Sequence, residues 1–91
     1  KEHVLQTHGF YVEEEKKRIR KLERTREELL EKIESLEEKV SLVNNELTKE
    51  EVYTDAIKVQ EYNEELTSLN QEIEDLNNTW LEIEEELESL Q

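Results

Sequence analysis

The chain has no cysteine, no proline, no methionine and a single glycine, Gly9. Without cysteine there are no disulfides and no thiolate metal sites, which suits a reducing compartment, and a cytoplasmic location is expected. The lack of proline and near-lack of glycine remove almost every helix breaker. Only 33% of the 91 residues are apolar and 5% aromatic, too few for a thick globular core. No apolar run approaches the ~18–20 residues that cross a bilayer, and no signal-peptide pattern is present, so no membrane contact is expected. There is no glycine-rich phosphate loop and no activated nucleophile. His3 and His8 are five positions apart, the wrong spacing for one helix face, and no carboxylate stands with them in a metal-site pattern. Catalytic, cofactor and metal residues are therefore all expected to be absent from this chain. It opens on Lys1 rather than Met, which suggests a piece of a longer protein.

What the chain has in quantity is charge. Charged residues make up 42% of it, with a formal net charge of −14. Such a composition suits either a disordered acidic chain or a long helical assembly that needs only a narrow apolar seam. Periodicity separates the two. From Ile19 the core-type positions run Ile19, Leu22, Arg26, Leu29, Ile33, Leu36, Val40, Val43, Leu47. A second series runs Val59, Tyr62, Leu66, Leu69, Ile73, Leu76, Trp80, Ile83, Leu87, Leu90. Both alternate steps of three and four, the a/d pattern of a coiled coil, and only Arg26 is neither apolar nor aromatic. A disordered chain has no reason to keep that register.

The phase breaks between the two series, at TKEEVYTD from Thr48 to Asp55. Thr48 with Glu51 offers a capping box, and Thr54 or Asp55 an N-cap for the second helix. A connection this short makes the two helices antiparallel neighbours. The expected fold is an all-α, antiparallel two-helix coiled-coil hairpin, about 45–55 Å long. Its first helix is expected over about 12–47, the turn over about 48–54 and the second helix over about 55–90. Residues 1–11 are read as a linker or a frayed extension. The core is expected at Leu29, Ile33, Leu36, Val40, Leu66, Leu69, Ile73, Leu76 and Trp80, with the Arg26 guanidinium over the Trp80 ring.

Charges beside the seam discriminate among registers. Folding about the turn sets Glu46 against Lys58, Lys39 against Glu65, Lys32 against Glu72, Thr25 against Thr79 and Arg18 against Glu86. A slip of one heptad sets Glu46 against Glu65 or Lys39 against Lys58, and these like-charge clashes oppose the slipped forms.

The segment EEEKKRIRKLERTREE, from Glu13 to Glu28, carries seven of the twelve Lys and Arg, between Lys16 and Arg26. From Glu50 onward there are fourteen acidic residues against one base, Lys58. The hairpin register lays the bases beside Glu82, Glu84, Glu85, Glu86 and Glu88, which many of them would neutralise. Lys17, Arg20, Lys21 and Arg24 occupy outer heptad positions, however, and outward Lys and Arg can bind phosphates. Both roles stay open for the bases, and the net charge opposes long-range attraction to a polyanion.

EVYTDAIKVQEYNEEL, from Glu51 to Leu66, and the Trp80 segment NNTWLEIEEELESL together resemble the C-terminal domain of ABC-F proteins, cytosolic ATP-binding cassette proteins with tandem ATPase domains. The features carrying the resemblance are a turn motif of Glu51, Tyr53 and Asp55, then Trp80, Ile83 and Glu84, and it spans roughly Leu29 to Leu90. Proline in the turn and arginine before the tryptophan, both common in that family, are replaced here by residues such as Lys49 or Glu50 and by Thr79. The resemblance implies a non-catalytic arm of an ATP-dependent translation factor acting on the ribosome. Its partners would be ribosomal RNA or DNA and the ATPase domains of the same chain, with ATP and Mg²⁺ bound by the parent and none here. A monomer is expected. The alternative is a structural module that makes dimers or a four-helix bundle by burying Leu30, Leu42 and Leu81.

Overall fold

The computed structural model describes the backbone of residues 2–90 and the side chains of residues 13–90. Three helices follow one another: α1 (Glu2–Leu47), α2 (Glu50–Tyr53) and α3 (Ala56–Leu90). There is no strand among the described residues. The long helices α1 and α3 pack against each other and the molecule is an all-α hairpin.

Its dimensions are 77 × 14 × 13 Å, longer than the 45–55 Å expected. At 1.5 Å per residue the 35 residues of α3 account for only about 52 Å. The extra length comes from α1, whose 46 residues carry it past the end of α3. Side chains of the segment 1–11, read above as linker or frayed extension, lie outside the described residues, as do His3 and His8.

The apolar seam is buried unevenly. Leu29, Ile33, Leu36 and Val43 of α1 and Ile83 and Leu87 of α3 are buried, whereas Val40, Leu66, Leu69, Ile73, Leu76 and Trp80 are half-buried. Two helices shield only one side of each a/d residue, so most of the seam keeps some water contact. Near the open end of the hairpin Leu29, Ile83 and Leu87 form a buried cluster joined by Ile19, Leu22, Leu76 and Trp80. The Trp80 indole Nε1 is buried there without a hydrogen-bond partner.

The turn is built differently from the expected capping box. Thr48 does not cap toward Glu51: its hydroxyl donates back to the Asn45 carbonyl at 2.6 Å. Lys49 takes the N-cap place of α2 with no side-chain cap bond. Because α2 takes Lys49 as its N-cap, Thr48 lies one position too early to form the box with Glu51. Asp55 does cap α3, accepting from the backbone N–H groups of Ile57 at 3.0 Å and Lys58 at 3.2 Å. Inside the turn Val52 is only 4% exposed and closes the distal end of the seam.

Candidate functional site

The seven bases of the Lys16–Arg26 segment divide three ways. Two reach across to α3: Arg18 donates to Glu86, and Arg26 Nη1 donates to Glu84 Oε1 at 2.8 Å. Two pair along α1, Lys16 with Glu13 at 3.7 Å and Lys17 with Glu14 at 4.0 Å. Arg20, Lys21 and Arg24 are exposed and have no carboxylate within 4.0 Å among the described residues.

Of the cross-hairpin ladder, then, only the Arg18–Glu86 rung is an ion pair. Lys39 and Glu65, and Lys32 and Glu72, do not come within 4.0 Å of each other. Glu46 accepts from Lys49 at 2.7 Å instead of meeting Lys58. Thr25 and Thr79 each turn their hydroxyl to their own helix, donating to the Lys21 and Asp75 carbonyls. Exposed pairs contribute under ~1 kcal/mol, so an equally good local partner or water displaces them readily.

Arg26 donates across the hairpin to Glu84 through its guanidinium. That hydrogen bond holds the guanidinium pKa above its ordinary value, opposed by burial and helped by the charges of Glu84, Glu23 and Glu27. Periodicity alone missed this contact, since Glu84 lies outside the core positions it picks out. A polar residue at an a position was the available signal.

The outward row Lys17, Arg20, Lys21 and Arg24 does line one surface, but it is not an unbroken positive stripe. Lys17 and Lys21 share a shallow depression with Glu14 and Glu15, and Arg20 and Arg24 share one with Glu23 and Glu27. Any anion approaching the row meets alternating signs, so attraction acts only at contact range.

The turn motif residues are split by the fold. Asp55 is half-buried and works as the α3 cap, while Glu51 and Tyr53 are exposed, Tyr53 by 57%. The residue that carries the turn's packing, Val52, lies between them and was not singled out by the a/d series. A lone apolar residue within TKEEVYTD was its only trace in the sequence.

Among the described residues no group of three His, Cys, Asp or Glu could hold a metal ion, and no helix is long and apolar enough to cross a membrane.

Compared with known families, residues 13–85 match the model of the ABC transporter C-terminal domain. The chain belongs to that family. The match spans most of the chain, including both long helices, the turn, the basic segment and Trp80. Neither the curated proteins nor the solved structures yield a match. As an ABC transporter C-terminal domain, the hairpin is an accessory domain of an ABC protein.

Proposed function

We propose that this hairpin is the non-catalytic arm of an ABC-F ATPase of the cytoplasm, and that it works by position. A stiff rod contacts ribosomal RNA or DNA, or sets the orientation of the ATPase domains, during translation. ATP and Mg²⁺ belong in this reading to those domains, since this chain has no phosphate loop to cradle them. The observation that carries the reading is the family match over residues 13–85, on a rod 77 Å long. A helical rod of that length gives reach without a globular core of its own.

Support for the nucleic-acid contact comes from Arg20, Lys21 and Arg24, which the fold leaves without carboxylate partners, and from Lys17, held only loosely by Glu14 at 4.0 Å. Four phosphate contacts would give a slope in log affinity against log salt of about −2.8 on a single strand and about −3.6 on duplex DNA. Titration of fluorescent single-stranded RNA and duplex DNA at several salt concentrations tests this. The expected result is weak, salt-sensitive binding that disappears when all four residues are changed to Glu. Affinity unchanged by that reversal would remove the contact from the proposal. An ABC signature motif upstream of Lys1 in the parent gene would support the ABC-F assignment, and its absence would remove it.

The alternative, an oligomerising module, draws on the exposure of Leu30, Leu42 and Leu81, at 41%, 61% and 52%. Leu42 and Leu30 stand at c and e positions on opposite sides of α1, so a single partner hairpin would not bury both. Sedimentation separates the two readings: a monomer mass at all concentrations favours the arm.

A further inference from the structure

Among the described residues the most exposed large apolar side chain is at the turn end of the rod. Ile57 is 70% exposed and Tyr53, four positions earlier, 57%. Neither is needed to make the turn. Val52 supplies the buried contact, Asp55 caps α3, and the Thr54 hydroxyl closes α2 on the Glu50 carbonyl at 2.6 Å. An outer heptad position such as Ile57 ordinarily holds a charged or polar side chain, as its neighbours on α3 do.

The backbone beneath both residues is pinned. Tyr53 N–H donates to the Lys49 carbonyl at 2.9 Å and Ile57 N–H to Asp55 Oδ1 at 3.0 Å. With the backbone already fixed, binding costs only the ordering of the two side chains themselves. The same turn end carries an open groove of ≈ 410 Å³ lined by Glu46, Glu51, Glu61 and Glu65, with Val52, Tyr62 and one base, Lys58. Glu46 is occupied by Lys49, but Glu51, Glu61 and Glu65 have no base within 4.0 Å among the described residues.

We propose that this turn end is a protein-docking head: Tyr53 and Ile57 enter an apolar pocket of the partner, and a lysine or arginine beside that pocket enters the glutamate groove. The sign of the groove decides the class of partner. Phosphates are repelled by it, whereas a basic protein surface is attracted and finds an apolar anchor next to the charge. Roughly 35 Å of helix separates Arg24 from the end of α1 at Leu47, several screening lengths, so the docking head acts independently of the basic row at the other end.

The test places the photo-cross-linker p-benzoylphenylalanine at position 53 of the full-length parent protein in its own cells, with position 81, similarly exposed at 52% and roughly 37 Å along α3, as control. A protein captured at 53 and not at 81 is then purified and titrated against the full-length protein. Three variants are compared: Tyr53→Ser with Ile57→Ser, Glu51→Lys with Glu61→Lys and Glu65→Lys, and the row Lys17, Arg20, Lys21, Arg24 changed to Glu. The first two should each weaken binding at least about tenfold, and the third should leave it unchanged. All substituted residues are exposed, and retained helicity by circular dichroism confirms that each variant folds. Adducts of position 53 with RNA or DNA, no adduct above the control, or equal affinity of the first variant and the parent would each overturn the docking head. None of those results bears on the basic row, whose own failure would be seen in the nucleic-acid titration.

Discussion

Arg26 and Glu84, 58 residues apart in sequence, meet through a single hydrogen bond of 2.8 Å between Nη1 and Oε1. About a third of each side chain remains exposed, 32% and 35%. The pair fastens the open end of the hairpin next to the Leu29, Ile83 and Leu87 cluster. Because Arg26 holds an a position, its alternative is an apolar residue that would extend the seam between Leu22 and Leu29. Arg26→Leu should therefore raise the melting temperature, since Glu84 is still open to water and burial replaces a wet ion pair. A lowered melting temperature would show that the pair outweighs burial at this site.

The largest loss among single substitutions is expected in the open-end cluster. Leu87 is 3% exposed, and Leu87→Ala should cost about 2–4 kcal/mol in urea unfolding. Leu66→Ala, at a half-buried seam position, should cost less, because water already reaches the site. Equal losses would contradict the uneven burial.

Trp80 offers a sharper comparison. Its indole N–H is buried without an acceptor, and an orphaned buried donor costs about 1–3 kcal/mol. Trp80→Phe removes the donor and keeps most of the aromatic surface, so stability should hold or rise by up to about 1 kcal/mol. Trp80→Ala should be clearly destabilising. A large loss in the Phe variant would mean that the N–H has a partner in solution.

Capping at the turn is expected to depend on one side chain. Asp55→Ala removes the acceptor for the Ile57 and Lys58 amides and should cost about 0.5–2 kcal/mol. Thr48→Ala, whose hydroxyl only folds back on Asn45, should have a smaller effect. Thermal melts of the two variants give the order directly.

One pH effect follows from Lys49. Its pKa is raised above 10.5, mainly by the hydrogen bond to Glu46 and then by that carboxylate's charge, against a small opposing effect of burial. A raised folded-state pKa means that the charged lysine is stabilised by folding. The contribution is complete below the unfolded value and is lost as pH climbs through the folded one. The difference in melting temperature between the parent chain and Lys49→Met should be constant from about pH 6 to about pH 9 and shrink above about pH 10.5. A difference that grew with alkalinity would reverse the assigned sign.

The hairpin was legible in the residues because an a/d repeat has one way to satisfy itself when a short turn interrupts it. Ile33, Leu36, Leu66 and Leu69 can leave water only against another such stripe, and TKEEVYTD is too short to let the stripes meet any way but antiparallel. Asp55 was legible as a cap for the same reason: the bond it makes is local.

Less legible was which ion pairs form. Lys39 and Lys32 have no carboxylate within 4.0 Å among the described residues, while Glu46 turned to Lys49 and Arg26 to Glu84. Long exposed side chains choose among partners that differ by a fraction of a kcal/mol, a margin no heptad rule resolves. Val52 was equally hidden, since a turn residue is buried only by what the fold brings over it.

The amino-acid order by itself determined the two long helices and their antiparallel direction, because these follow from strong, local and repeated hydrophobic signals, while the short helix α2 inside the turn was not read from it. Tertiary structure alone decided which bases are consumed by carboxylates, which seam residues are dry, and that Tyr53 and Ile57 are left facing water. Those outcomes depend on the three-dimensional distance between groups far apart in the chain, and distances of that kind exist only once the hairpin has closed.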